Sequence, residues 1–194
     1  MRSLVLVLAL ALAGCGGSGT PAAKPSVEPT SLRQLDSATM RVVRVAFCDL
    51  VPKSAVRAAL AAAPTRTRSW RNGDHVAEAG GQIGHEFGCA WFGPRSRVAR
   101  AWVFARPVSA SYATTLVRQA RTKHGCTAST GKLFGTPSVV QTCRRTGSPL
   151  RVRHAGLFGD TWLTCEVGGS GTRAALRKRA DGWCLDVANA LNAG

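Results

Sequence analysis

Acidic residues are scarce in this chain: 10 Asp plus Glu stand against 26 Lys plus Arg, a formal net charge of +16. The imbalance directs the search for partners toward anions. Long apolar runs are lacking as well. The longest, Leu4–Ala13, is LVLVLALALA, about half of the ~20 residues that a membrane-spanning helix needs. There is no Cys-x-x-Cys, the spacing on which zinc ribbons and thioredoxin-like redox sites rely, and the four histidines are scattered. A phosphate-binding loop is missing too. Gly125-Cys126-Thr127-Ala128-Ser129-Thr130-Gly131-Lys132-Leu133 has one residue too many between its glycines and Leu133 where a hydroxyl would meet magnesium. What remains is 194 residues at 45% hydrophobic and 19% charged, enough for one domain with a real core and unlike a disordered chain. No internal repeat divides it.

The N-terminus reads as an address. Arg2 precedes the apolar run and small residues follow it, the pattern of an export signal. Leu12-Ala13-Gly14-Cys15 resembles the bacterial lipobox, in which the signal is cut before the cysteine and the thiol carries diacylglycerol. Residues 1–14 are therefore expected to be removed, with Cys15 as the lipid attachment. Two or three acyl chains, at about 0.8 kcal/mol per buried CH2, hold a protein durably where one does not. Gly16-Gly17-Ser18-Gly19-Thr20-Pro21 and the prolines after it suit a tether, so 15–38 is expected to be anchor and flexible linker, and 39–194 one extracytoplasmic domain.

Six cysteines follow Cys15: Cys48, Cys89, Cys126, Cys143, Cys165 and Cys184. An even number beyond an export signal points to three disulfides. Fifteen pairings exist and spacing alone does not choose. Alternation along Trp162–Val167 puts Leu163, Cys165 and Val167 on one face, and Leu176, Ala180, Cys184, Val187 and Leu191 form a helical stripe. A strand packed on that helix joins Cys165 to Cys184, and the sequential set adds Cys48 with Cys89 and Cys126 with Cys143.

The alternating, Val-rich Arg41–Phe47 reads as a strand, and a helix is expected from Pro52, at its first position, to near Pro64. Residues 65–84 read as a loop or an irregular hairpin. Glu86–Phe92 and Val98–Arg106 flank the turn-forming Gly93-Pro94-Arg95-Ser96. Ser109 caps a helix with the stripe Ala113, Leu116, Val117 and Ala120, ended by Gly125. Ser138–Arg145, Leu150–Leu157 and Thr161–Val167 form a meander, and a helix from Thr172 to Leu191 closes the chain. The expectation is an α+β domain, an antiparallel sheet with helices packed on one side.

Phe47-Cys48-Asp49-Leu50-Val51-Pro52, then Gly88-Cys89-Ala90-Trp91, and a closing helix carrying Trp183-Cys184 and Val187-Ala188-Asn189-Ala190-Leu191 resemble a family of small actinobacterial lipoproteins of unknown function. That resemblance implies an α+β envelope or sensor domain and carries over no catalytic residue.

Motifs for chemistry are thin. Gly168-Gly169-Ser170-Gly171 has Thr172 where a nucleophile elbow needs glycine, so Ser170 reads as a helix cap, with Thr172 the other candidate for the closing helix. Asp74, His75 and Glu78, with His85 beside Glu86, are the only acid and histidine clusters, placed in a polar loop. Cys126 beside His124 is a weak nucleophile pair. The five tryptophans, at 70, 91, 102, 162 and 183, sit at core-like positions. No cofactor or metal is implied. A pI near 11 suggests nucleic acid, but the export signal removes that partner; phospholipid headgroups or anionic wall polymers take its place. Arg144, Arg145, Arg151 and Arg153 gather around residues 146–149 as the candidate anion site. The functional expectation is a lipid-anchored, non-catalytic binding, sensory or accessory domain on the outer face of the cell membrane. A membrane-protein partner remains open, as does a hydrolase or transferase acting on envelope polymers.

Overall fold

The structure is a computed structural model that describes residues 28–77, 80–131, 134–144 and 146–193. The expected lipid attachment Cys15 and the candidate Arg145 lie outside these residues. Chain packing begins inside the expected linker: a 3-10 turn at Leu32–Gln34 buries Leu32, with Leu35 and Met40 following, and the Asn189 amide donates to the Pro29 carbonyl at 2.9 Å.

Helix α1 (Lys53–Leu60) buries Ala55, Val56, Ala59 and Leu60, an i, i+1, i+4, i+5 face. Pro52 stands just before it as the N-cap, and Ala61 turns left-handed at φ 47°, ending the helix earlier than Pro64. Seven strands build one antiparallel sheet: β1 (Arg66–Trp70), β4 (Glu86–Phe92), β5 (Val98–Phe104), β6 (Cys126–Gly131), β7 (Ser138–Cys143), β8 (Leu150–Phe158) and β9 (Thr161–Gly169). Their spatial order is β1-β4-β5-β9-β8-β7-β6. A small hairpin, β2 (His75–Val76) with β3 (Gln82–Ile83), lies apart. Helix α2 (Ala110–Arg121) starts at Ser109, whose hydroxyl accepts from the Tyr112 amide, and α3 (Arg173–Leu191) starts at Thr172, which accepts from Ala175.

The α+β class and the antiparallel sheet are as the sequence led us to expect, and so are the three disulfides: Cys48–Cys89, Cys126–Cys143 and Cys165–Cys184. Leu163, Cys165 and Val167 face α3, where Trp183 meets Trp91 edge to face at 5.2 Å and donates to the Arg100 carbonyl at 2.9 Å. Helices α1 and α3 cover this face. Helix α2 lies on the opposite one, with Ala113 and Val117 against Val139, Ala155, Leu157 and Trp162. Periodicity assigns a residue to a face but does not say which layer covers that face, so the expected one-sided layer describes α1 and α3 only.

Two other expectations change. Arg41–Phe47 makes a single bridge, Val42 with Asn192, because the segment runs beside the end of α3: the Val43 amide donates to the Leu191 carbonyl, and Ala193 to that of Arg41. Residues 65–84, read as a loop or an irregular hairpin, contain the β2–β3 hairpin but also β1. That strand is an edge with four exposed residues before Trp70, so it lacks the apolar alternation that marks a half-buried strand.

Candidate anion-binding site

Directly opposed residues of an antiparallel pair share a face, so the register maps the side of the sheet away from α3. One row across it reads Arg68, Ala90, Arg100, Glu166, Arg153 and Gln141. A neighbouring row carries Arg66, Phe92, Val98, Gly168 and Arg151. Arginines thus come to this face from β1, β5 and β8, and β9 brings the Glu166 carboxylate among them.

Glu166 lies beneath the guanidiniums with its side chain 3% exposed. Arg153 donates to Oε2 through Nη2 at 2.7 Å and Nε at 3.1 Å; Arg100 Nη1 is 3.4 Å and Arg151 Nη1 3.6 Å from Oε1. Burial pushes the Glu166 carboxyl up, and the charges of Arg153, Arg100 and Arg151 outweigh it, so the group stays below the usual carboxylate range. Among the described residues, ion pairs set one carboxylate against these three guanidiniums. Above it is a pocket of about 210 Å³, walled by Lys123, Ser148, Pro149 and the Cys126–Cys143 disulfide. The Arg153 guanidinium also stands 5.0 Å from the Trp102 ring centroid. Glycine serves this face where Gly88 passes under Trp70: a Cβ there would lie 2.1 Å from the indole.

Of the arginines picked from the sequence, Arg151 and Arg153 are in the pocket. Arg144 is exposed beyond the end of β7, its amide donating to the Gly125 carbonyl. Arg100, Glu166 and Lys123 were missed. Glu166 carried a usable signal, since a lone carboxylate in the strand TWLTCEVGG, buried along its whole length, requires a countercharge. Arg100 carried none, because its meeting with Arg153 depends on β9 lying between β5 and β8.

Of the remaining candidates, Glu78 lies outside the described residues and the others are dispersed. Cys126 is closed in a disulfide and offers no thiol to His124. The His75 ring is 2.9 Å from the Gly81 carbonyl. Glu86 borders a second cleft of about 590 Å³ with His85, Ile83, Phe104 and Tyr112; burial raises its carboxyl above the ordinary value although the Trp70 indole donates to it at 3.2 Å. Buried His154 holds Nε2 2.8 Å from Asp181 Oδ1 on α3, a contact between layers rather than within a pocket. Trp70, Trp91, Trp162 and Trp183 are buried, and Trp102 is half-buried under Arg153. Among the described residues, no three His, Cys, Asp or Glu side chains are placed to hold a metal ion. Neither a protein-family model nor a curated protein matches this chain.

Proposed function

We propose that the chain is a lipid-anchored protein of the outer face of the cell membrane whose domain binds an anionic ligand, without catalysis, in the pocket of Arg100, Arg151 and Arg153. The observation that carries this reading is the convergence of three guanidiniums on one buried carboxylate at the floor of a pocket. Planar guanidiniums suit phosphate or carboxylate oxygens, and charge-assisted pairs of this kind are the strong ones. Three disulfides fit an oxidising compartment. The Leu12–Cys15 pattern and the resemblance to actinobacterial lipoproteins support the anchor. A hydrolase or transferase acting on envelope polymers is the second reading, favoured by the raised carboxyl of Glu86 in its cleft.

The test is titration of inorganic phosphate into the full chain carrying Cys15→Ser, which has no acyl chain to contribute. Arg153→Ser should weaken binding by about tenfold, the loss expected for a charged hydrogen-bonded contact. Equal binding by both proteins would dismiss the pocket.

A further inference from the structure

The cationic surface does not stop at the pocket. Arg66 and Arg68 on β1 lie in the same two rows as Arg151 and Arg153 on β8, with Arg100 midway on β5. Each step between these strands spans two inter-strand spacings, so the arginines recur at about 10 Å over about 19 Å, taking about 4.8 Å per spacing. Both ends are braced on rings: Arg66 stands 4.2 Å from the Phe92 centroid and Arg153 5.0 Å from that of Trp102. A guanidinium stacked in this way is held in place by its ring; Arg153 is held a second time, because its Nε and Nη2 donate to Glu166.

We infer that this face binds a linear polyanion laid across the strands, from the edge strand β1 to the pocket on β8. The inference rests on the pocket reading above and names its ligand class. Recession favours a chain over a lipid surface: the Arg100, Arg151 and Arg153 side chains are only 14%, 34% and 23% exposed. The end of α2 stands beside their row, where Gln141 donates to the Ala120 carbonyl at 2.8 Å. A flat bilayer reaches protruding tips, whereas a narrow polymer can enter the pocket over Arg100, Arg151 and Arg153. Position on β1 also matters, because an edge lets the chain run on past the protein. Periodic charges joined in one ligand bind as a multivalent set, each contact raising the effective concentration for the next.

Linear polyphosphates of increasing length, poly-glutamate, inorganic phosphate and anionic phospholipid vesicles are titrated into the full Cys15→Ser chain. Affinity should rise with polyphosphate length until the tract is covered. Arg66→Ser with Arg68→Ser, both exposed positions, should weaken the long polymer by about tenfold or more while leaving inorganic phosphate unchanged. Arg153→Ser should weaken both. Tight binding of either polymer supports the inference, and the pair distinguishes phosphate from carboxylate chemistry. Long-polymer binding untouched by the β1 substitutions overturns the tract and leaves the pocket standing if Arg153→Ser still weakens phosphate. Tighter binding to vesicles than to either polymer overturns it in favour of a lipid surface. Failure to bind phosphate and polymer alike removes the pocket as well.

Discussion

Glu166 holds the arginine face together, so its removal is felt beyond one contact. A buried carboxylate answering three guanidiniums cannot be neutralised cheaply, because the charges it leaves are still half-buried. Glu166→Gln should destabilise the fold by about 3 kcal/mol, read as a lower urea midpoint; an unchanged midpoint would show that the cluster relaxes into solvent. The pH dependence has a defined sign. The Glu166 carboxyl is held below its ordinary 4.5, so its contribution is complete above that value and is lost as pH falls through the lower folded one. Glu166→Gln should therefore flatten the acid limb of the stability curve. Glu86 works the other way. Its carboxyl is raised, so ionisation costs stability as pH climbs from 4.5 through the folded value. Which residues matter was partly legible: Arg151 and Arg153 share a face by simple alternation, but Arg100 is more than forty positions away.

Among the elements, those with caps and stripes were plain in the sequence. Ser109 caps α2 as its position suggested, and of the two hydroxyls offered for α3, Thr172 and Ser170, it is Thr172 that accepts from the first turn, satisfying an amide that the turn leaves unpaired. Thr172→Ala should cost about 1 kcal/mol, seen as a lower Tm, with Thr172→Ser recovering most of it. Strands β1 and β6 were illegible for one reason: RTRSW and CTASTG are edge segments without alternating bulky apolar residues. Their pairing partners define them rather than their own pattern. The Cys165–Cys184 pairing was readable because strand alternation and helix periodicity each turned one sulfur inward. These cysteines are 19 residues apart. Replacing both with Ala should cost about 3 kcal/mol by loop-closure entropy. A guanidinium midpoint matching the parent would mean that packing of α3 on β9 alone holds the join.

At the scale of the whole molecule, the net charge of +16 is unevenly placed. The apolar face of the sheet is covered by α1 and α3, while the opposite face gathers arginines beside α2. Cys15→Ser should move the protein from the membrane fraction to the medium; retention in the membrane fraction would refute the anchor. Composition, the N-terminal pattern and the cysteine count by themselves determined the basic character, the α+β class and the three disulfides, because charge balance, residue periodicity and loop closure are properties of neighbours along the chain. Only the tertiary structure decided that α2 crosses the second face, that β1 forms an edge, and that Arg100 meets Arg153 over Glu166. Those outcomes depend on strand order, and strand order follows from which faces bury together across the whole sheet, a sum of long-range contacts that no local segment encodes.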